Sequence, residues 1–141
     1  MCKSNYNDNR RFFTYVCVLF LVDICNNYKN LTDAERKYDY VAKHPECDNE
    51  PNGWHRFQGD AGTKMVTTCP PFNRCDAHFP VWLSEHHPTV AEGTVRRKVC
   101  IRYYDDCCKD YRFIDVKSCG SYYIYNLINP GSCNARYCST D

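Results

Sequence analysis

Ten cysteines fall between residues 23 and 141, and two of them, Cys107 and Cys108, stand side by side in "RYYDDCCKDY". No other feature limits the accessible folds so strongly. Adjacent thiols have three uses: a metal site, a strained redox-active vicinal disulfide, or two separate structural bridges. Structural zinc sites favour paired C-x2–4-C units. The chain has no C-x-x-C, and Cys133 to Cys138, its nearest approach, has no matching second pair. The same absence removes the thioredoxin-like redox motif. A vicinal disulfide stores strain and is easily reduced. Neighbours in extended chain point to opposite faces, so two bridges leaving in opposite directions are the expected use of Cys107 and Cys108. The partners stay open, because ten cysteines allow on the order of 945 pairings, nine times the count for eight.

The compartment follows from the first 22 of the 141 residues. Lys3, Arg10 and Arg11 precede "FFTYVCVLFLV", residues 12–22, eleven mostly apolar positions without a charge. A basic segment followed by a short apolar run reads as a secretory leader. It falls short of the about 20 residues of a comfortable transmembrane helix. No small-x-small pattern precedes Asp23, so the residues do not fix the cleavage point. The C-terminal "NARYCSTD" lacks the apolar tail of a lipid-anchor signal, and the expected product is exported without a membrane anchor. Removing 1–22 takes Cys2, Cys17, Lys3, Arg10, Arg11 and Asp8, leaving ten cysteines and 15 basic against 16 acidic residues. An even, dense cysteine set behind a leader is a disulfide framework. A net charge near −1 argues against nucleic acid as a partner.

The remaining pattern is mainly β: a small disulfide-rich extracellular domain, residues 23–141, of short antiparallel strands with long loops and at most a short helical turn. Thr32 and Glu35 have the spacing of a capping box and predict a turn from Asp33. Strands are expected at Trp54–Phe57, Met65–Thr68, within "VWLS", over Thr94–Tyr104, and in "FIDVKSC" and "SYYIYNLI" as a hairpin about Gly120. Four prolines between residues 70 and 88 preclude a long helix there. Gly59 and Gly62 are turn residues rather than a phosphate loop, because no Gly-Lys-Ser/Thr follows. Asn30-Leu31-Thr32 is the single N-glycosylation sequon, and Asn30 is the expected acceptor.

Catalytic groups do not converge in the sequence. His86 and His87 are adjacent, belong to no H-E-x-x-H motif, and read as exposed loop residues beside Pro88. Ser84 and Ser121 lie in no G-x-S-x-G elbow. Asp105 and Asp106 read as loop neighbours, and Arg96, Arg97 and Lys98 as a solvated strand face. The "YYIY" strand offers aromatics to both faces, for core or contact.

The string DIC…CD…GWHRF…TC…RC…WL…HP…EG…VRRKVC…CC…VKSC…YYIYNL…C…YC, spanning Asp23 to Cys138, resembles the cysteine-rich domain family of uromodulin and the major glycoprotein of pancreatic secretory granule membranes. It includes all ten cysteines in order, Gly53-Trp54-x-Arg56-Phe57, Trp82-Leu83, His87-Pro88, Glu92-Gly93 and Tyr122-Tyr123-x-Tyr125. The resemblance implies five bridges: Cys25–Cys119, Cys47–Cys133, Cys69–Cys107, Cys75–Cys138 and Cys100–Cys108. It implies a secreted recognition module for an extracellular protein or glycan, with no catalytic residue, metal or cofactor. Epidermal-growth-factor-like, zona pellucida and anchor segments of such proteins have no room in this chain. The family's glycan after Trp-Leu has no counterpart either, since Ser84–Pro88 contains no Asn. A small secreted hydrolase, or a piece of a longer mosaic protein, are the alternative expectations.

Overall fold

The computed structural model describes residues 3–4, 15–16, 23–49 and 51–141. Strands β1 (Lys3–Ser4) and β2 (Tyr15–Val16) pair antiparallel. The rest of the expected leader, residues 1–22, lies outside the described residues.

The domain is organised by one seven-stranded sheet. Its strands are β3 (Lys29–Leu31), β4 (Gly53–Phe57), β6 (Phe79–Leu83), β7 (Thr94–Tyr103), β8 (Asp106–Ser118), β9 (Tyr123–Leu127) and β10 (Ala135–Tyr137), in the spatial order β10-β6-β7-β8-β9-β4-β3. The central pairings are antiparallel, and both edge pairings, β10 with β6 and β3 with β4, are parallel. A second small pair joins β5 (Lys64–Met65) to β11 (Ser139–Thr140). The long hairpin of β7 and β8, ten and thirteen residues, departs from the uniformly short strands expected.

Side-chain alternation explains which face is core. Val95, Arg97, Val99 and Ile101 of β7 share one face with Ile114, Val116 and Ser118 of β8 and with Tyr125 and Leu127 of β9. Phe57, Met65, Val81, Leu83 and Tyr137 complete the cluster. Each such side chain removed from water contributes about 1.5–3 kcal/mol. The opposite face carries Arg96, Lys98, Tyr111, Phe113 and Asp115. Pro80 sits inside β6 without cost, because pairing with β7 begins only at Val81.

Buried tyrosines keep their hydroxyls bonded. The Tyr125 hydroxyl accepts from the Met65 N–H at 2.9 Å, and that of Tyr137 donates to the Ile128 carbonyl at 2.8 Å. Gly62 has a positive φ of 80°, and a β-carbon there would collide with the Thr140 carbonyl. The five bridges are Cys25–Cys119, Cys47–Cys133, Cys69–Cys107, Cys75–Cys138 and Cys100–Cys108. Four of them close separations of 38 to 94 residues, the range in which cross-linking most restricts the unfolded chain.

The short turn expected from Asp33 is present, but the capping box expected for it is not. The turn near Asp33 is a single 3-10 turn, Ala34–Arg36, without a side-chain cap. The Asp33 carboxylate bonds Arg36 and Arg136 instead. The capping box belongs to Thr89 and Glu92, ahead of the turn Val90–Glu92. Its two bonds hold the Glu92 carboxyl below the usual range, the Thr89 backbone N–H first and its hydroxyl second.

Candidate functional site

Two polar and aromatic clusters stand outside the core. The first lies at the tip of the β7–β8 hairpin. The chain reverses at Tyr104 and Asp105, and Tyr104 holds φ at 49°. A bulky residue in this left-handed region is a conformational outlier. Tyr104 is nonetheless 65% exposed. Its ring stacks on Phe72 with centroids 5.0 Å apart and meets the edge of Phe79 at 6.1 Å. Phe79 stacks on Tyr103 at 4.2 Å, and His78 lies parallel to Phe72 at 6.2 Å. Five rings from three segments thus form one continuous surface, anchored where Phe79 and Tyr103 pack against the core.

That surface is braced from behind. Arg102 donates from Nε to the Tyr104 carbonyl at 2.7 Å and from Nη1 to the Pro70 carbonyl at 3.1 Å. The Cys69–Cys107 bridge ties the same two segments. Cys108 turns to the other side and bridges Cys100. The adjacent cysteines therefore clamp the start of β8 from two directions, and the Trp82 indole N–H donates to the Cys107 carbonyl between them. Arg102 is thus engaged behind the tip, while Lys109 is exposed. The segment from Arg102 to Lys109 contains two cations and two carboxylates, Asp105 and Asp106.

The second cluster lines a cleft of about 470 Å³ among Asp33, Glu35, Arg36, Tyr40, His44, Glu46, Cys47, Asp48, Asp76 and Arg136. Carboxylates and a histidine around a cleft are the raw material of a hydrolase. Here the deepest groups are partners of one another. Arg36 reaches Asp48 through both terminal nitrogens, at 2.8 and 2.9 Å, with both side chains buried. Asp48 also accepts the Tyr137 N–H. Asp76 accepts the N–H groups of Lys43 and His44. Burial opposes the Arg36 charge, and the Asp48 contacts outweigh it, so its pKa lies above the ordinary value. Arg136 is shifted the other way, by burial first and by Arg36 second, and its closest carboxylate contact is Asp33 at 3.2 Å. The cluster joins the loop after β3 to β10.

The other residues singled out from the sequence take structural positions. His86 is exposed, but His87 is not a loop ornament. Its ring lies 4.3 Å from that of Tyr123, and its Nε2 is hydrogen-bonded to the Tyr125 hydroxyl at 2.9 Å. Burial first, then Lys64 and His86, push its pKa down to about 4. Arg97 is also corrected: it turns inward from its neighbours and pairs with Glu92 at 2.9 Å. Arg96 and Lys98 remain on the outer face, over Phe113 and Tyr111. The Ser84 hydroxyl donates to the Lys98 carbonyl, and Ser121 is exposed. Asp105 lies in the hairpin reversal and Asp106 opens β8, and Asn30 is exposed on the edge strand β3, opposite Arg56.

Sequence reasoning did not pick out Phe72, His78, Phe79, Tyr103 or Tyr104. Their only local signal is Tyr-Tyr-Asp-Asp between two strand patterns, which marks a reversal carrying aromatics. The rings from residues 72–79 join it through the tertiary fold.

Comparison with known proteins bears on the same chain. The family model described as "Uromodulin-like, D8C domain" matches residues 55–139. Uromodulin of Rattus norvegicus is 43% identical over 118 residues, covering 83% of this chain and 18% of the relative. The pancreatic secretory granule membrane major glycoprotein GP2 of Canis lupus familiaris is 38% identical over 118 residues, with 83% and 23% covered. Its Homo sapiens counterpart is 35% identical over 118 residues, with 83% and 22% covered. The chain spans about a fifth of the length of these relatives.

Proposed function

The chain belongs to the uromodulin-like D8C domain family, and from that premise we propose that it is an exported, non-catalytic recognition module for an extracellular protein or glycan. The observation that carries this reading is the hairpin tip. Five aromatic rings are fixed by a disulfide and by Arg102, and the outermost ring is held in an unfavourable backbone conformation while exposed. Strain of this kind persists where surrounding structure over-determines it, and it concentrates at functional sites. Exposed tyrosine supplies large contact area with few rotamers to freeze.

The hydrolase alternative receives less support from the geometry. A retaining or inverting pair of carboxylates must face one substrate bond with one member free to act as acid. The buried cleft carboxylates Asp48 and Asp76 are engaged by an arginine and by backbone N–H groups. A match confined to about a fifth of each relative also fits a module of a longer protein. In either setting Asn30 is the expected glycan attachment point. Its position on an open sheet edge would let a glycan shield that edge from pairing with other chains.

The reading is tested with fluorescently labelled protein on intact cells and extracellular matrix. Saturable binding that unlabelled protein displaces, and that Tyr104→Ala abolishes, supports it. Equal binding by wild type and variant, or no saturable binding, overturns it.

A further inference from the structure

Resting on the recognition reading above, we propose that Tyr104, backed by Phe72, is a stacking platform for a neutral saccharide. Three features of the tip point to this ligand class. One is shape. The near-parallel Phe72 ring supports Tyr104 at 5.0 Å, and the 65% exposure of Tyr104 leaves broad ring surface to solvent. A pyranose presents a patch of C–H groups on one face of its ring, and the electron-rich face of an aromatic attracts such hydrogens.

Another is charge. Between Arg102 and Lys109 two cations balance Asp105 and Asp106. Arg102 lies directly behind the reversal, bonded to the Tyr104 carbonyl. This segment carries no net formal charge to draw an ion, so apolar stacking and hydrogen bonds are left to supply affinity. Proline-rich segments dock into grooves between aromatic ridges. Here Phe79 meets Tyr104 edge-on at 74°, so the two rings are not a pair of parallel ridges.

The third is the polar rim. The Tyr104 hydroxyl can donate and accept, and the exposed Asp105 carboxylate accepts. Sugar hydroxyls need both kinds of partner. The left-handed backbone of Tyr104 adds that the ring is held there against its conformational preference, where glycine would fit without strain.

The test uses the full exported protein, titrated against an array of neutral and charged extracellular glycans and against a lysine-rich and a proline-rich peptide, at 50 mM and about 500 mM salt. Tyr104→Gly, Tyr104→Ala and Tyr104→Phe are compared, with folding checked by the denaturation midpoint and by the intact mass of the five-bridged form. The proposal expects saturable binding to a neutral glycan that changes less than about threefold with salt. Loss by about tenfold or more is expected in Tyr104→Gly and Tyr104→Ala, with retention in Tyr104→Phe. Retention of full glycan affinity by Tyr104→Gly would overturn it. So would salt-sensitive capture of the lysine-rich peptide alone, or capture of the proline-rich peptide alone. If cell binding depends on Tyr104 while every glycan fails, the saccharide assignment falls and the recognition reading survives. If neither depends on Tyr104, both fall.

Discussion

The cleft and the hairpin tip hold similar raw materials and use them in opposite ways. In the cleft, Arg36, Asp48, Asp76 and the backbone around them are buried and bonded to one another. At the tip, the charged groups are balanced and the aromatic surface is exposed. A buried ion pair commits its members, since losing either leaves an uncompensated charge out of water. An exposed ring commits nothing and is free to bind. On the recognition reading proposed above, a flat surface held rigid is the better guide than chemically rich residues around a concavity.

The sharpest way to break this contrast is Asp48→Ala. It leaves the buried Arg36 guanidinium with Asp33 as its one carboxylate partner and removes the acceptor for the Tyr137 N–H, at an expected cost of about 3 kcal/mol. Urea denaturation with the bridges intact measures it, and a loss under 1 kcal/mol would mean that the cleft network is not structural. Arg102→Ala should cost less, about 1–2 kcal/mol, because its bonds lie in a half-buried, solvent-screened setting. Amide exchange at Tyr104 and Asp105 should rise in this variant while Phe57 and Val116 stay protected. Uniform deprotection would show that the brace serves the whole domain.

His87 gives the pH dependence. Its folded pKa of about 4 lies below the ordinary 6.5, so the unfolded chain binds the proton first as pH falls. The stability due to the neutral ring is full above about pH 6.5 and is lost progressively toward pH 4. Partial exposure limits the loss to about 1–2 kcal/mol. His87→Gln keeps an acceptor for Tyr125 and should show a flatter profile between pH 6.5 and 4.5. Identical profiles would remove His87 as the cause. Tyr104→Gly has the smallest expected effect on stability, within about 1 kcal/mol. Relief of the left-handed backbone, about 1–2 kcal/mol, offsets the lost stacking of about 0.5–1.5 kcal/mol. A larger destabilisation would make Tyr104 a structural residue.

Strand positions were legible wherever the two-residue period was strong, as in Thr94–Tyr103, and where glycine marked a reversal, as at Gly120. Capping was misread because Thr32 and Glu35 have the same spacing as Thr89 and Glu92. Glu92 accepts from Thr89 through one oxygen and from Arg97 through the other, whereas the turn after Thr32 has Asp33 at its cap, with its carboxylate drawn to Arg36 and Arg136. His87 looked exposed because nothing in "SEHHP" reveals that Tyr125, 38 residues away, brings its hydroxyl to the ring.

By itself the sequence determined that this chain is a disulfide-stapled β domain, because cysteine number and residue alternation act locally and survive any arrangement of the strands. Its motif order was also enough to mark the uromodulin-like family. The tertiary structure alone decided which carboxylates are engaged and which rings are exposed. Those properties depend on groups from distant segments meeting at hydrogen-bond or stacking distance, as Phe72 meets Tyr104 and Arg36 meets Asp48, and no spacing along the chain encodes such meetings.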